Sequence, residues 1–160
     1  MEGFYTALVC LNGHVVTAAM ERSPFNGLSF CQQCSTKLIS TCPSCGRSII
    51  GCSITDYEIY GKTSVRRPAF CPHCGAPYPW TETAIETARE FIHLDDSFSC
   101  EERTSLIAAL KETISETPKT KLAIFKIKKL LKKASETSSS AVLTFLVENA
   151  CRMVLREFGL

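Results

Sequence analysis

Two short stretches, Cys42-Pro43-Ser44-Cys45-Gly46 and Cys71-Pro72-His73-Cys74-Gly75, decide how this 160-residue chain folds. In each stretch two cysteines stand three positions apart, so a tight turn can point both sulfurs at one tetrahedral ion. The glycine that follows the second cysteine supplies the positive φ that such a turn requires. Both stretches therefore have the form of zinc knuckles.

Two further pairs of potential ligands precede these knuckles. Cys31 and Cys34 have the same spacing, although Ser35 follows them in place of glycine. Cys10 and His14 flank Asn-Gly, a dipeptide typical of a hairpin turn, so both side chains can face one ion. Eight ligands suffice for two closed, four-coordinate Zn²⁺ sites. The sequence predicts that all eight bind zinc: Cys10, His14, Cys31, Cys34, Cys42, Cys45, Cys71 and Cys74.

The four pairs can be shared between two ions in two ways. In the sequential arrangement of zinc ribbons, the first two pairs bind one ion and the last two bind the other. The two pairs of each site are then separated by 16 and 25 residues, about one β-hairpin each. In an interleaved, RING-like arrangement the first pair joins the third and the second joins the fourth. The seven residues between Cys34 and Cys42 carry a strand of their own, which favours two ribbons in series.

The redox compartment decides between metal and disulfides for these cysteines. The first residues have no basic segment followed by an apolar stretch and a cleavage site, and no apolar run approaches the ~18 residues that cross a membrane. We therefore expect no transmembrane segment and a cytoplasmic protein, in which thiols stay reduced and paired cysteines indicate metal.

The predicted fold class is α+β, with a tandem zinc ribbon ahead of a bundle of about four α-helices. Residues 1–80 form the ribbon module, in which residues 4–9 and 57–60 are expected as strands. Residues 81–160 form the helical tail. Its second helix begins with a capping box, Ser99-x-x-Glu102, and its fourth helix is expected to span 141–158.

Lysines and two large apolar residues share the exposed side of the third predicted helix. Residues 118–133 carry seven lysines and no acidic residue, whereas 81–116 carry nine acidic and three basic residues. Two such stretches either pack against each other through their opposite charges or form two separate solvated faces. Leu122 and Phe125 are either covered by another helix or available to a partner. The candidate partner-binding residues, including two arginines before the last knuckle, are Arg66, Arg67, Lys121, Leu122, Phe125, Lys128, Lys129, Lys132 and Lys133.

The fourth predicted helix is apolar over about half of its circumference, which indicates burial on more than one side. One of those sides could contact a second protomer, so a homo-oligomer through the 141–158 helix is a further expectation.

The motifs of known zinc enzymes are absent. His14 is followed by two valines rather than by x-Glu, and Thr41 rather than proline precedes Cys42, which excludes the deaminase pattern. No H-E-x-x-H is present, nor a phosphate-binding glycine loop. Eight ligands would close both sites, whereas a catalytic zinc keeps an open position. We therefore expect no enzyme activity.

The sequence also resembles a known family. The start Phe4-Tyr5-Thr6-Ala7-Leu8-Val9-Cys10-Leu11-Asn12-Gly13-His14, the two Cys-Pro-x-Cys-Gly knuckles and Pro77-Tyr78-Pro79-Trp80-Thr81-Glu82 are similar to the small bacterial zinc-ribbon proteins grouped as domain of unknown function 2321. The resemblance implies a bacterial cytosolic protein with ribbons ahead of helices, and it implies no activity. Ser35 departs from the family's knuckle form, which leaves the turn at Cys31/Cys34 open.

The functional hypothesis is a non-catalytic zinc-ribbon scaffold that engages a protein partner through the loop at 55–67 and the helical tail. The first alternative is nucleic-acid binding by the ribbon and the lysine-rich helix, in which Tyr57, Tyr60, Tyr78 and Trp80 either stack on bases or pack inside the fold. The second alternative is attachment to a membrane surface through the C-terminal amphipathic helices.

Overall fold

The computed structural model describes residues 3–24, 27–61 and 65–160. The chain divides into two compact units, Met1–Thr81 and Glu82–Leu160. Short antiparallel strands occupy the first unit and helices occupy the second, so the predicted α+β class with ribbons ahead of helices is confirmed. Each unit has its own core and is described separately.

The strands of the first unit form two small sheets. In one sheet β1 pairs antiparallel with β5, and in the other β2 lies between β3 and β4. Buried side chains fill all three positions of β2, as expected for a central strand. A single 3₁₀ turn, Met20–Arg22, follows β3. The strands are β1 Phe4–Thr6, β2 Leu8–Cys10, β3 Val15–Thr17, β4 Leu38–Ile39 and β5 Ile50–Ser53.

The expected strand over 4–9 is divided. Ala7 separates β1 from β2, and its N–H donates to the carbonyl of Ile49 at 2.9 Å. The chain thus changes from one sheet to the other within a single apolar run. A continuous apolar pattern predicts extended backbone but does not indicate which neighbour each residue pairs with.

Residues 57–60 are helical rather than extended. Helix α1, Ile54–Tyr60, is capped by Ser53, whose hydroxyl accepts from the Asp56 N–H at 3.5 Å. It ends at Gly61, which adopts the left-handed conformation with φ +60°. Positions 55–60 of the predicted loop at 55–67 therefore belong to a helix, and its positions 62–64 lie outside the described residues.

The core of the first unit consists of small clusters around the cysteines. One cluster contains Val9, Ile49, Tyr78 and Trp80 together with two knuckle cysteines. A close backbone approach fixes β5, because a Cβ at Gly51 would lie 2.0 Å from the carbonyl oxygen of Ala18. No side chain larger than hydrogen fits there, which explains a glycine inside a strand.

The helical unit has five helices where about four were expected, counted over 82–160, all of which are described. The predicted 141–158 helix is two helices. The chain becomes extended at Ala150 (ψ 153°), and the N–H of Cys151 donates to the carbonyl of Thr113 at 2.8 Å. The helices are α2 Pro79–Leu94, which begins in the first unit, α3 Cys100–Ile114, α4 Thr120–Leu131, α5 Glu136–Asn149 and α6 Arg152–Phe158.

Helices α3 and α4 pack against each other over a large part of their lengths. The predicted capping box at the start of α3 is confirmed, since the Ser99 hydroxyl and the Glu102 carboxylate each accept the other residue's N–H. The side chains of Leu106, Ile127 and Leu146 are fully buried. Among the residues that the structure describes, no helix is both long and apolar enough to cross a bilayer.

Candidate metal centre

The three C-x-x-C segments fold into the same turn. In each one the N–H of the first cysteine donates to the carbonyl five residues later, at 2.7–2.8 Å. The N–H of the residue after the second cysteine returns to the carbonyl of the first, at 2.8–2.9 Å. The flanking residues form isolated antiparallel bridges, Phe30 with Lys37, Thr41 with Ser48 and Phe70 with Pro77. Each knuckle is thus a miniature hairpin that carries two sulfurs on one side.

Ser35 holds the position that glycine occupies in the other two knuckles. Its φ is +55°, compared with +72° for Gly46 and +74° for Gly75. It is the one non-glycine residue with positive φ among the described residues. Serine in place of glycine therefore leaves the turn geometry unchanged, but a residue with a side chain then adopts the left-handed backbone conformation.

The first group of ligands combines a β-turn with a knuckle. Cys10 is the last residue of β2, and Gly13 (φ +86°) donates its N–H to the Cys10 carbonyl at 2.8 Å. This turn brings His14 Nδ1 to 3.5 Å from the Cys10 sulfur. The knuckle contributes Cys31, whose sulfur is 3.8 Å from His14 Nδ1, and Cys34, whose sulfur is 3.7 Å from that of Cys10.

The second group joins two knuckles. The sulfur of Cys42 lies 3.8 Å from that of Cys74, and the sulfur of Cys45 lies 3.7 Å from that of Cys71. Cys42 and Cys71 are buried, whereas Cys45 and Cys74 are exposed. The ligand atoms of each group all lie within 4.8 Å of one another.

These distances are those of a tetrahedral zinc site. A Zn–S bond of about 2.3 Å makes the tetrahedral S–S edge about 3.8 Å, and a Zn–N bond of about 2.05 Å makes the S–N edge about 3.6 Å. A disulfide would require sulfurs about 2.05 Å apart. All ten cysteines of the chain are free thiols. The eight residues therefore form two groups that can hold metal ions, and the pairs are shared sequentially rather than interleaved.

A hydroxyl group supports the thiolate form of one ligand in the first group. The Thr36 hydroxyl lies 2.6 Å from the Cys34 sulfur and lowers the pKa of Cys34 to about 6. Burial raises the pKa of Cys10 in the same group. Since zinc binds the thiolate, the Thr36 hydroxyl favours the ligand-competent state of Cys34.

The second group has an unpartnered hydroxyl beside it. The Tyr78 ring is fully buried in the cluster that contains Cys42 and Cys71, and it stacks on Trp80 at 4.6 Å. Its hydroxyl is buried without a regular hydrogen bond to any described residue. Burial raises the pKa of Tyr78, and after burial the Cys71 thiol raises it most. A neutral phenol next to Cys71 is suited to donate to a metal-bound thiolate, so this environment fits a bound ion.

The predicted partner-binding residues on α4 differ in their surroundings. Leu122 and Phe125 are not covered by another helix, since 55% and 65% of their surface is exposed. Lys128 pairs with Glu157 at 3.6 Å, and Lys133 pairs with Glu102. Lys132 and Lys133 follow Leu131, the last residue of α4. For the other predicted lysines, Lys121, Lys129 and Lys132, no ion pair occurs among the described residues.

Lys126 was missed by the sequence analysis. It is exposed, lies one turn from Leu122, and also has no ion pair within the described part of the chain. The signal was present in the helical spacing, because 122, 126 and 129 follow one another along one stripe. Lys126 rather than Lys128 therefore belongs with the exposed apolar pair.

The two arginines before the last knuckle have intramolecular partners. Arg67 donates to the carbonyl of Asn12 at 3.1 Å, and its side chain fills the space next to Gly13. Arg66 also interacts within the chain. Arg67 thus supports the turn between Cys10 and His14, which gives it a structural role at the first group of ligands.

The aromatic residues considered for base stacking are mostly interior. Tyr78 and Trp80 are buried against each other, and the Trp80 N–H donates to the Pro68 carbonyl at 2.8 Å. Tyr57 contacts the edge of Tyr5 at 5.3 Å. Tyr60 is 67% exposed. Of the four aromatic residues considered for base stacking, Tyr60 is therefore the one that is mostly exposed.

A protein-family model matches nearly the whole chain. A family model described as an uncharacterized protein conserved in bacteria (DUF2321) matches residues 3–157. The chain belongs to this family. The match covers both the ribbon unit and the helical unit, and it confirms the resemblance found in the sequence. No curated protein and no solved structure matches the chain significantly.

Proposed function

We propose that this member of the family binds two structural Zn²⁺ ions and acts as a non-catalytic scaffold for a protein partner. The observation that carries the metal assignment is the separation of the ligand atoms. Three S–S and S–N distances of 3.5–3.8 Å in the first group, and two S–S distances of 3.7 and 3.8 Å in the second, match the edges of a zinc tetrahedron.

The structural role of the ions follows from the number of ligands. Each group provides four, which leaves no position for a substrate or a water molecule. Bound zinc would contribute about 10 kcal/mol or more to folding at neutral pH. The ribbon unit needs such a contribution, because its strands are two to four residues long and its core is divided into small clusters.

The scaffold role is supported by the exposed apolar side chains of the helical unit, of which Leu122 and Phe125 are examples. A non-catalytic protein acts by contact, and uncovered large apolar residues are where such contacts form. The free thiols favour a reducing compartment, the cytoplasm, as the place where both ions stay bound.

Substitution of zinc by Co²⁺ tests the closed, non-catalytic character of both sites. We expect tetrahedral d–d bands and strong thiolate-to-cobalt charge transfer that do not change when cyanide or imidazole is added. A spectrum that shifts with an added small ligand would show an open coordination position, and that result would contradict the structural assignment. The matched control is the protein with Cys52→Ser, because Cys52 belongs to neither group and its spectrum should equal that of the wild type.

A further inference from the structure

Two helices of the second unit each present an exposed, charged stripe that ends in large apolar residues. On α2 the stripe consists of Glu86, Glu90, Phe91 and Leu94, which we call the acidic face. On α4 and at its C-cap it consists of Leu122, Phe125, Lys126, Lys129 and Lys132, which we call the basic face. All nine residues are exposed, and at 100° per residue each set lies within an arc of about 140°.

The acidic face has charge available for a partner. Glu90 has no ion pair among the residues that the structure describes, and Glu86 has only an exposed neighbour, Arg89, at 3.6 Å. At the C-terminal end of this face Leu94 is 81% exposed and Phe91 is 39% exposed. Side chains this large and this uncovered at the end of a charged stripe mark a contact surface.

The basic face has the same composition with the opposite sign. Its apolar residues, Leu122 and Phe125, stand toward the N-terminal end of α4. Its lysines follow toward the C-terminal end and have no ion pair in the described ranges. The opposite side of α4 is buried in the bundle through Ala123, Ile127 and Leu130, so the basic face is the side left for contact.

The two faces match in length and order when the helices run antiparallel. Leu94 lies eight positions after Glu86, and Lys129 lies seven positions after Leu122, so the distances are about 12 and 10 Å at a rise of 1.5 Å per residue. In antiparallel alignment Leu122 and Phe125 meet Leu94 and Phe91, while Lys126 and Lys129 meet Glu90 and Glu86. Both faces are exposed within one chain, so neither covers the other there.

We propose that the basic face of α4 docks antiparallel on the acidic face of α2 in a second copy of this chain. This inference rests on the proposed scaffold function and names its partner, but it does not depend on the zinc ions. Apolar burial and the opposite charges together supply the attraction, and the charge pattern also sets the orientation and rejects the parallel alignment, which would place lysines on leucine and phenylalanine. Because the contact joins two different faces, two chains related by a two-fold axis form it twice: the basic face of each chain contacts the acidic face of the other.

Sedimentation of the full, zinc-loaded chain over a range of concentrations tests this proposal. We expect the mass to rise with concentration from 17.7 kDa toward twice that value, and to fall back as salt is added. The variants Lys126→Glu/Lys129→Glu and Glu86→Lys/Glu90→Lys should each weaken self-association by at least tenfold. An equimolar mixture of the two variants should associate again, because one contact then joins unmodified faces. The control Lys37→Glu/Lys111→Glu changes the net charge by the same amount as Lys126→Glu/Lys129→Glu, but at exposed sites outside both faces, and should associate as the wild type does.

Two results would overturn the inference. One is a wild-type chain that stays at 17.7 kDa at every concentration, and the other is self-association that both double variants leave unchanged. Binding of the monomeric chain to labelled DNA or to phosphatidylserine vesicles, lost in Lys126→Glu/Lys129→Glu, would assign the basic face to that ligand instead. Metal content measured on the same samples separates this outcome from failure of the zinc assignment.

Discussion

Ser35 and Gly75 occupy equivalent positions in two different knuckles. Each donates its N–H to the carbonyl of the first cysteine, at 2.8 and 2.9 Å, and each has positive φ, +55° and +74°. The left-handed conformation costs a residue with a side chain about 1–2 kcal/mol, part of which is offset because glycine loses more backbone entropy on folding.

We therefore predict that Ser35→Gly stabilises the first site. The expected gain is about 0.5–1 kcal/mol, or a few-fold in zinc affinity. Competition with a chromophoric chelator measures it. The reciprocal variant Gly75→Ser should weaken the second site by a similar factor, since a Cβ at Gly75 meets no atom within 4 Å and only the backbone conformation is strained. Equal affinities for wild type and both variants would show that φ does not limit these turns.

Tyr78→Phe tests whether the buried hydroxyl next to Cys71 acts on the second metal site. We expect the variant to fold, because the ring and its stacking on Trp80 remain. We expect one of the two zinc ions to bind about tenfold more weakly, as when an outer hydrogen bond to a ligand is removed. Chelator competition that resolves the two ions measures this effect.

The control for that variant is Tyr57→Phe, which removes a hydroxyl from a tyrosine that packs on Tyr5, outside both groups of ligands. Its zinc affinity should equal that of the wild type. If Tyr78→Phe leaves both ions unchanged, or if Tyr57→Phe weakens binding equally, the hydroxyl has no specific role at Cys71.

Asp95 joins two segments of the helical unit. Its buried carboxylate accepts from the backbone and hydroxyl of Ser97, and from the N–H and hydroxyl of Ser135, the N-cap of α5, at 3.0 and 2.8 Å. Burial opposes ionisation, but these donors hold the pKa of Asp95 below its usual range. We predict that Asp95→Asn lowers the free energy of unfolding by about 2 kcal/mol at neutral pH. Urea titration of the helical signal measures it.

The pH dependence of this effect has a definite sign. Because the folded pKa is lowered, the stabilisation is complete above the unfolded pKa of about 3.9 and is lost as the pH falls through the folded pKa. The difference between wild type and Asp95→Asn should therefore hold from neutral pH to about pH 5 and shrink in stronger acid. Asp96→Asn is the matched control. Its side chain is fully exposed, and the expected change is within about 0.5 kcal/mol.

The metal centre could be predicted from the sequence because its ligands are closely spaced along the chain. The C-x-x-C turns, the Asn-Gly turn beside Cys10 and the capping box at Ser99 depend on a few neighbouring residues, and the structure contains each of them. The length of chain between the second and third pairs also indicated the sequential grouping that the structure shows.

Two of the errors concern features that depend on distant residues, and a third concerns a segment too short to show a helical pattern. The division of 4–9 at Ala7 depends on Ile49, whose carbonyl accepts the Ala7 N–H. The end of α5 at Asn149 depends on Thr113, whose carbonyl accepts the N–H of Cys151. Because Thr113 is far away in the sequence, the pattern of 141–158 alone predicts one helix. Helix α1 is only seven residues long, and its seven residues carry too little periodicity to outweigh the β-forming Ile and Tyr side chains.

Counting zinc ions by native mass spectrometry tests the central claim, two closed sites with sequentially shared ligands. The wild type should carry two zinc ions. The variant with Cys10, His14, Cys31 and Cys34 all replaced should retain one ion, and the variant with Cys31, Cys34, Cys71 and Cys74 all replaced should retain none. The opposite result for these two variants, none and then one, would show that the pairs are interleaved, and a wild type with fewer than two ions would contradict the claim itself.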